Sequence, residues 1–103
     1  MDIITVSKNN FDEEVIKSTK TVLVDFWASW CMPCKMMLPV VEAVAKEIGD
    51  DVKIAKINVD EEPELASRYG IMSIPTFLVF KNGNVTNMTV GMQDKQEILK
   101  LIK

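Results

Sequence analysis

The eight residues Thr21-Val22-Leu23-Val24-Asp25-Phe26-Trp27-Ala28 leave the chain few folds to choose from. The run is almost entirely apolar, of strand length, and rich in β-branched and aromatic side chains, so it predicts a central strand covered on both faces. Such a strand needs a layer above and a layer below, and the neighbouring segments carry the patterns to supply them. After Ser29-Trp30-Cys31, residues Met37, Val40, Val41, Val44, Ala45 and Ile48 recur at three- and four-residue spacing, with Gly49 where a helix C-cap belongs. Pro39 falls inside this pattern, removes the hydrogen bond to the Lys35 carbonyl, and is expected to kink the helix.

The remaining elements follow from local signals. Ile3 to Val6 reads as a short strand, and Asn10-Phe11-Asp12-Glu13 as a capping box opening a helix through about Lys17. Val52 to Val59 is a further strand, and a short helix after Glu61-Glu62-Pro63 ends at Gly70. Thr76 to Lys81 and Asn84 to Val90 flank Asn82-Gly83, which supplies the positive φ angles of a type I′ hairpin turn. Asp94-x-x-Glu97 is a second capping box, leading into the apolar stripe Ile98, Leu99 and Ile102. The expected order is βαβαβαββα. Strands separated by helices pair in parallel and the hairpin pairs antiparallel, so the expectation is an α/β fold with a central mixed sheet and helices on both faces.

Composition narrows the chemistry. The 103 residues correspond to one domain, residues 1–103, which buries roughly two-thirds of its unfolded surface without needing staples. There is no histidine, so a Ser-His-Asp triad, a Cys-His pair and a His-ligated metal are excluded. The two cysteines, Cys31 and Cys34, offer at most two of the four ligands of a structural zinc site, and no metal is expected. A net charge of −3 argues against nucleic acid as a partner. No signal-peptide pattern and no run of about 18 apolar residues occurs, so the expectation is a soluble cytoplasmic chain without membrane partners, whose thiols are reduced, catalytic or metal-binding.

Trp30-Cys31-Met32-Pro33-Cys34-Lys35 lies where the buried strand passes into the long helix. The partial positive charge and free N–H groups of a helix N-terminus favour a thiolate. Cys31 is expected to be the exposed, low-pKa nucleophile, and Cys34, three residues on, to share its helix face and to resolve a mixed disulfide. Pro33 suits the first helical turn, and Lys35 adds positive charge. Asp25, a carboxylate inside the apolar strand, is expected to have a pKa raised by burial and to exchange protons with Cys34; the alternative is an Asp bonded to a turn at a sheet edge. Lys56 shares a strand face with Val52 and Ile54 and either reaches toward Asp25 or stays solvated. Trp30 is a candidate docking platform, and Met32, between the cysteines, has little core to fill.

Val24 to Lys35, Pro39, Lys56-Ile57-Asn58-Val59-Asp60, Tyr69-Gly70-Ile71, Ile74-Pro75-Thr76 and Gly91 together resemble the thioredoxin family in order and spacing over the whole chain. The resemblance implies the thioredoxin fold and a protein dithiol-disulfide oxidoreductase. It makes Cys31 the attacking and Cys34 the resolving cysteine, Asp25 the proton-exchanging carboxylate and Lys56 its neighbour. It also makes Pro75 a cis-proline facing the disulfide, and places targets in a groove of Trp30, Met32, Pro33, Ile74, Pro75, Gly91 and Met92. The implied partners are disulfide-containing proteins and a thioredoxin reductase, with the chain a monomer and no bound cofactor. One departure stands out: the family usually has Gly-Pro between its cysteines, and here the pair is Met32-Pro33, which bears on redox poise and adds an oxidisable side chain. A dithiol oxidase or isomerase of the same fold, a binding module using the same surface, and more distantly a two-cysteine metal carrier are the other readings.

Overall fold

A computed structural model describes residues 3–103. Five strands form one sheet: β1 (Ile3–Thr5), β2 (Thr21–Trp27), β3 (Val52–Asn58), β4 (Thr76–Lys81) and β5 (Asn84–Val90), in the spatial order β1-β3-β2-β4-β5. β2 pairs in parallel with β3 and antiparallel with β4, so the strand expected to be buried on both faces occupies the middle of a mixed sheet. β1 also pairs in parallel with β3, and the two parallel ladders run on past the strand ends: the Val6 N–H donates to the Lys56 carbonyl and the Val59 N–H to the Trp27 carbonyl, each at 2.9 Å.

Because strand side chains alternate, β2 serves two cores. Val22, Val24 and Phe26 pack with Phe11, Val15 and Leu65 on one face. Leu23 packs with Met37, Val41, Val44 and Ile98 on the other, under α1 (Met32–Glu47) and α3 (Lys95–Ile102). Leu65 belongs to α2 (Pro63–Arg68), so helices cover both faces. Asp25 and Trp27, two and four residues on from Leu23, share its side of the strand and therefore fall on the face that α1 covers.

Two expected helix ends differ. The segment after Asn10 is a single wide turn, Asp12–Ile16, closed by the Lys17 N–H on the Asp12 carbonyl at 2.8 Å, and no side chain caps it. Asn10 is already engaged upstream: its Oδ1 accepts the Ser7 N–H at 2.7 Å and its Nδ2 donates to the Thr5 carbonyl. α1 ends at Glu47, and Ile48 leaves it in extended backbone (φ −77°, ψ 150°), so Gly49 is not used as a left-handed cap. α1 does run unbroken through the exposed Pro39. One expected pairing also differs, since β4 follows a helix yet runs antiparallel to β2; the Asn82-Gly83 and Asp94 signals hold. Asn82 and Gly83 both have positive φ, 53° and 80°, and Asp94 Oδ1 accepts the Glu97 N–H at 2.9 Å.

Candidate active site

Cys31 is the N-cap residue of α1, at the end of the central strand's exit turn. Its Sγ accepts the Cys34 N–H at 3.2 Å, using one of the donors that a helix start leaves free. A hydrogen bond from a helix-end amide stabilises negative charge on that sulfur. Pro33 stands in the first turn, where its missing N–H leaves no gap. Cys31 and Cys34 are joined as a disulfide, with Cα atoms 5.2 Å apart.

The expected exposure of Cys31 is corrected in this form. Both cysteines are only 4% exposed, in a small cluster with Ala28 against Trp27, Val59 and Ile74. The sulfur that each cysteine presents to the other is covered by the bond itself, and the Ile74 carbonyl oxygen lies 3.9 Å from Cys31 Sγ. Ile74–Pro75 is a cis peptide. The Pro75 carbonyl accepts the Gly91 N–H at 2.8 Å, which ties the start of β4 to the end of β5 beside the disulfide. Gly91 has φ +90°, a conformation that favours glycine. Trp30, Met32, Pro33 and Met92 are exposed around this point, so the residues expected to line a groove do gather at one end of the sheet.

Asp25 is 3% exposed in the middle of β2, which removes the sheet-edge alternative. Among the described residues its Oδ1 has no hydrogen-bond partner. Burial pushes its pKa up from 3.8 to about 6, opposed by the positive charge of Lys56. Lys56 is Asp25's register partner on β3, yet among the described residues it forms no ion pair. Its Nζ stands instead 4.4 Å from the Trp27 ring centroid. The side chain thus reaches inward, as one expectation had it, but the aromatic face takes the ammonium while the carboxylate feels it at a distance.

One residue was not foreseen in a role of its own. Asp60, just beyond β3, accepts the Trp30 indole N–H at 2.7 Å and holds a side chain that is otherwise 66% exposed. The parallel pairing of β2 and β3 is the signal that could have found it, since it carries the ends of both strands to the same edge.

A thioredoxin family model matches residues 2–103. The chain belongs to the thioredoxin family. It is 47% identical over 97 residues to the thioredoxin of Rickettsia bellii, covering 94% of this chain and 92% of that one. It is 47% identical over 102 residues to the thioredoxin of Bacillus subtilis, covering 99% and 96%. It is 49% identical over 90 residues to thioredoxin 1 of Synechococcus elongatus, covering 87% and 84%. With a disulfide at the helix start, this member of the thioredoxin family is a protein disulfide oxidoreductase. Among the described residues, no helix is long and apolar enough to cross a membrane and no cluster of acidic, Cys or His side chains could hold a metal.

Proposed function

We infer that the reaction is reduction of protein disulfides with Cys31 as attacking and Cys34 as resolving cysteine. The observation that carries this reading is the Cys34 N–H bonded to Cys31 Sγ, which stabilises charge on one sulfur of the pair. The Cys31 thiolate attacks one sulfur of the target disulfide; that S–S bond breaks and the second target sulfur leaves as a thiolate and takes a proton. Asp25, buried on the strand face under α1, accepts the Cys34 thiol proton. Cys34 then attacks Cys31 Sγ, closes the Cys31–Cys34 disulfide and releases the first target sulfur, which is protonated in turn. The target gains two electrons and two protons, and a reductase returns two electrons to the chain.

Lys56 contributes a nearby positive charge that keeps the Asp25 pKa within working range. Trp30, Met32, Pro33, Ile74, Pro75, Gly91 and Met92 receive the extended segment around the target disulfide, with the Ile74 backbone beside the attacked sulfur. The donor is a thioredoxin reductase, the chain acts as a monomer in the cytoplasm, and it carries no cofactor. The test is reduction of insulin driven by dithiothreitol. Cys31→Ser is expected to abolish it, and full activity in that variant overturns the assignment. Ultraviolet titration of the reduced protein should show Cys31 ionising below the ordinary thiol range near 8.5, ahead of Cys34.

A further inference from the structure

Seven methionines stand in a chain of 103 residues. Methionine ordinarily fills gaps in cores, and Met37 does so beneath β2. Met1 lies outside the described residues. The other five, Met32, Met36, Met72, Met88 and Met92, are each half exposed or more. They are not scattered. Met32 follows Cys31 at the first position of α1, and Met36 lies one turn on along the same helix face. Met72 precedes Ile74, whose carbonyl faces the Cys31 sulfur, and Met92 follows Gly91, whose N–H is held by Pro75. Met88 on β5 shares a groove of about 130 Å³ with Met72 and Val90. Three segments that meet at the disulfide each present a thioether to solvent.

We propose that this rim is a site of oxidative modification, at which hydrogen peroxide converts Met32, Met36, Met72 and Met92 to sulfoxides and so weakens docking of protein disulfides while dithiol exchange itself continues. The inference rests on the docking role given above to Met32 and Met92 and extends it to Met36 and Met72, their exposed neighbours on α1 and before Ile74. A sulfur lone pair attacks one peroxide oxygen, the O–O bond breaks, the thioether is oxidised by two electrons and the peroxide is reduced to water. Each sulfoxide replaces an apolar, flexible contact by a dipole that docking must strip of water. The same oxidant therefore leaves two marks of different persistence. The Cys31–Cys34 disulfide is erased by the reductase, whereas the sulfoxides need a methionine sulfoxide reductase.

The test treats the full chain in its disulfide form with hydrogen peroxide, removes the oxidant, reduces the protein with dithiothreitol and locates the sulfoxides by peptide mass spectrometry. The kcat/KM for insulin is expected to fall about tenfold, the loss of roughly one buried apolar side chain, while the rate on cystine changes less than about twofold. Methionine sulfoxide reductase should restore the loss. A variant carrying Met32→Leu, Met36→Leu, Met72→Leu and Met92→Leu, compared with itself before treatment, should lose less than about twofold. Undiminished insulin activity with sulfoxide at all four positions overturns the proposal, as does an equal loss in the leucine variant or on cystine. Untreated Met32→Gln separates this inference from the docking reading. A raised KM for insulin without any peroxide effect rejects the oxidation alone; an unchanged KM rejects the docking reading and the oxidation effect built on it.

Discussion

Removing the charge of Asp25 should change the pH dependence of folding in a direction that its position dictates. The carboxyl is buried, its Oδ1 lacks a partner, and its pKa in the fold is about 6 against 3.8 for the free group. A raised acid binds its proton more tightly in the native state than in the unfolded one. Stability contributed by this group is therefore intact below pH 3.8, falls as pH rises toward 6, and is lost above that. At about 1.36 kcal/mol per pH unit, the ionised carboxylate costs about 3 kcal/mol of folding free energy. Asp25→Asn removes that cost but adds an amide with its own packing offset, so the informative quantity is the stability difference from wild type at pH 8 minus that at pH 4. The offset cancels and about 2.4 kcal/mol in favour of the variant should remain, because at pH 4 the unfolded carboxyl is already partly ionised. Urea unfolding of the disulfide form, followed by tryptophan fluorescence, reads this as a midpoint gap that opens by about 1–2.5 M between the two pH values. A gap that stays constant with pH would show that Asp25 does not titrate between 3.8 and 6, and the desolvation argument would fail.

Lys56→Met deletes the charge that opposes this shift, so the inflection in the same urea series should move to higher pH, and no movement would mean the ammonium over Trp27 is screened from Asp25. Gly83→Ala forces a Cβ to 2.9 Å from the Ile16 carbonyl oxygen at φ +80°, and should cost about 1–3 kcal/mol in thermal unfolding while the folded fraction reduces insulin at the wild-type rate. Asp60→Ala removes the acceptor of the Trp30 indole, a bond worth about 0.5–1 kcal/mol, so the KM for insulin should rise about two- to fivefold with cystine reduction unchanged.

The features legible in the sequence are those whose cause is local or whose pattern is long. Thr21–Ala28 read as a covered strand, realised over Thr21–Trp27, Asn82-Gly83 read as a tight turn of positive φ, and Asp94 capped the helix it precedes. Asn10 misled because the same side chain satisfies an upstream turn as readily as a helix start, and which it serves depends on where Thr5 and Ser7 lie. Gly49 misled because a helix that exits in extended backbone needs no left-handed residue. At the site, strand-to-helix placement pointed to Cys31 and Cys34, which a disulfide joins, and an acid in an apolar run pointed to Asp25, which is buried. The burial of Cys31, the seat of the Lys56 ammonium on Trp27 and the anchoring of Trp30 by Asp60 all depend on contacts between segments far apart in the chain.

Cys31 holds two offices at once: it caps α1, and in the reaction proposed above it is the sulfur that changes charge. Any change in that sulfur's electron density is felt directly by the amide proton of Cys34, which points at it. The helix thus carries its own voltmeter. In an amide NMR spectrum the Cys34 resonance should move as the sulfur passes from disulfide to thiol to thiolate, and a mixed disulfide caught on Cys31 should have a chemical shift of its own, so each stage of turnover becomes visible from one backbone position without a label.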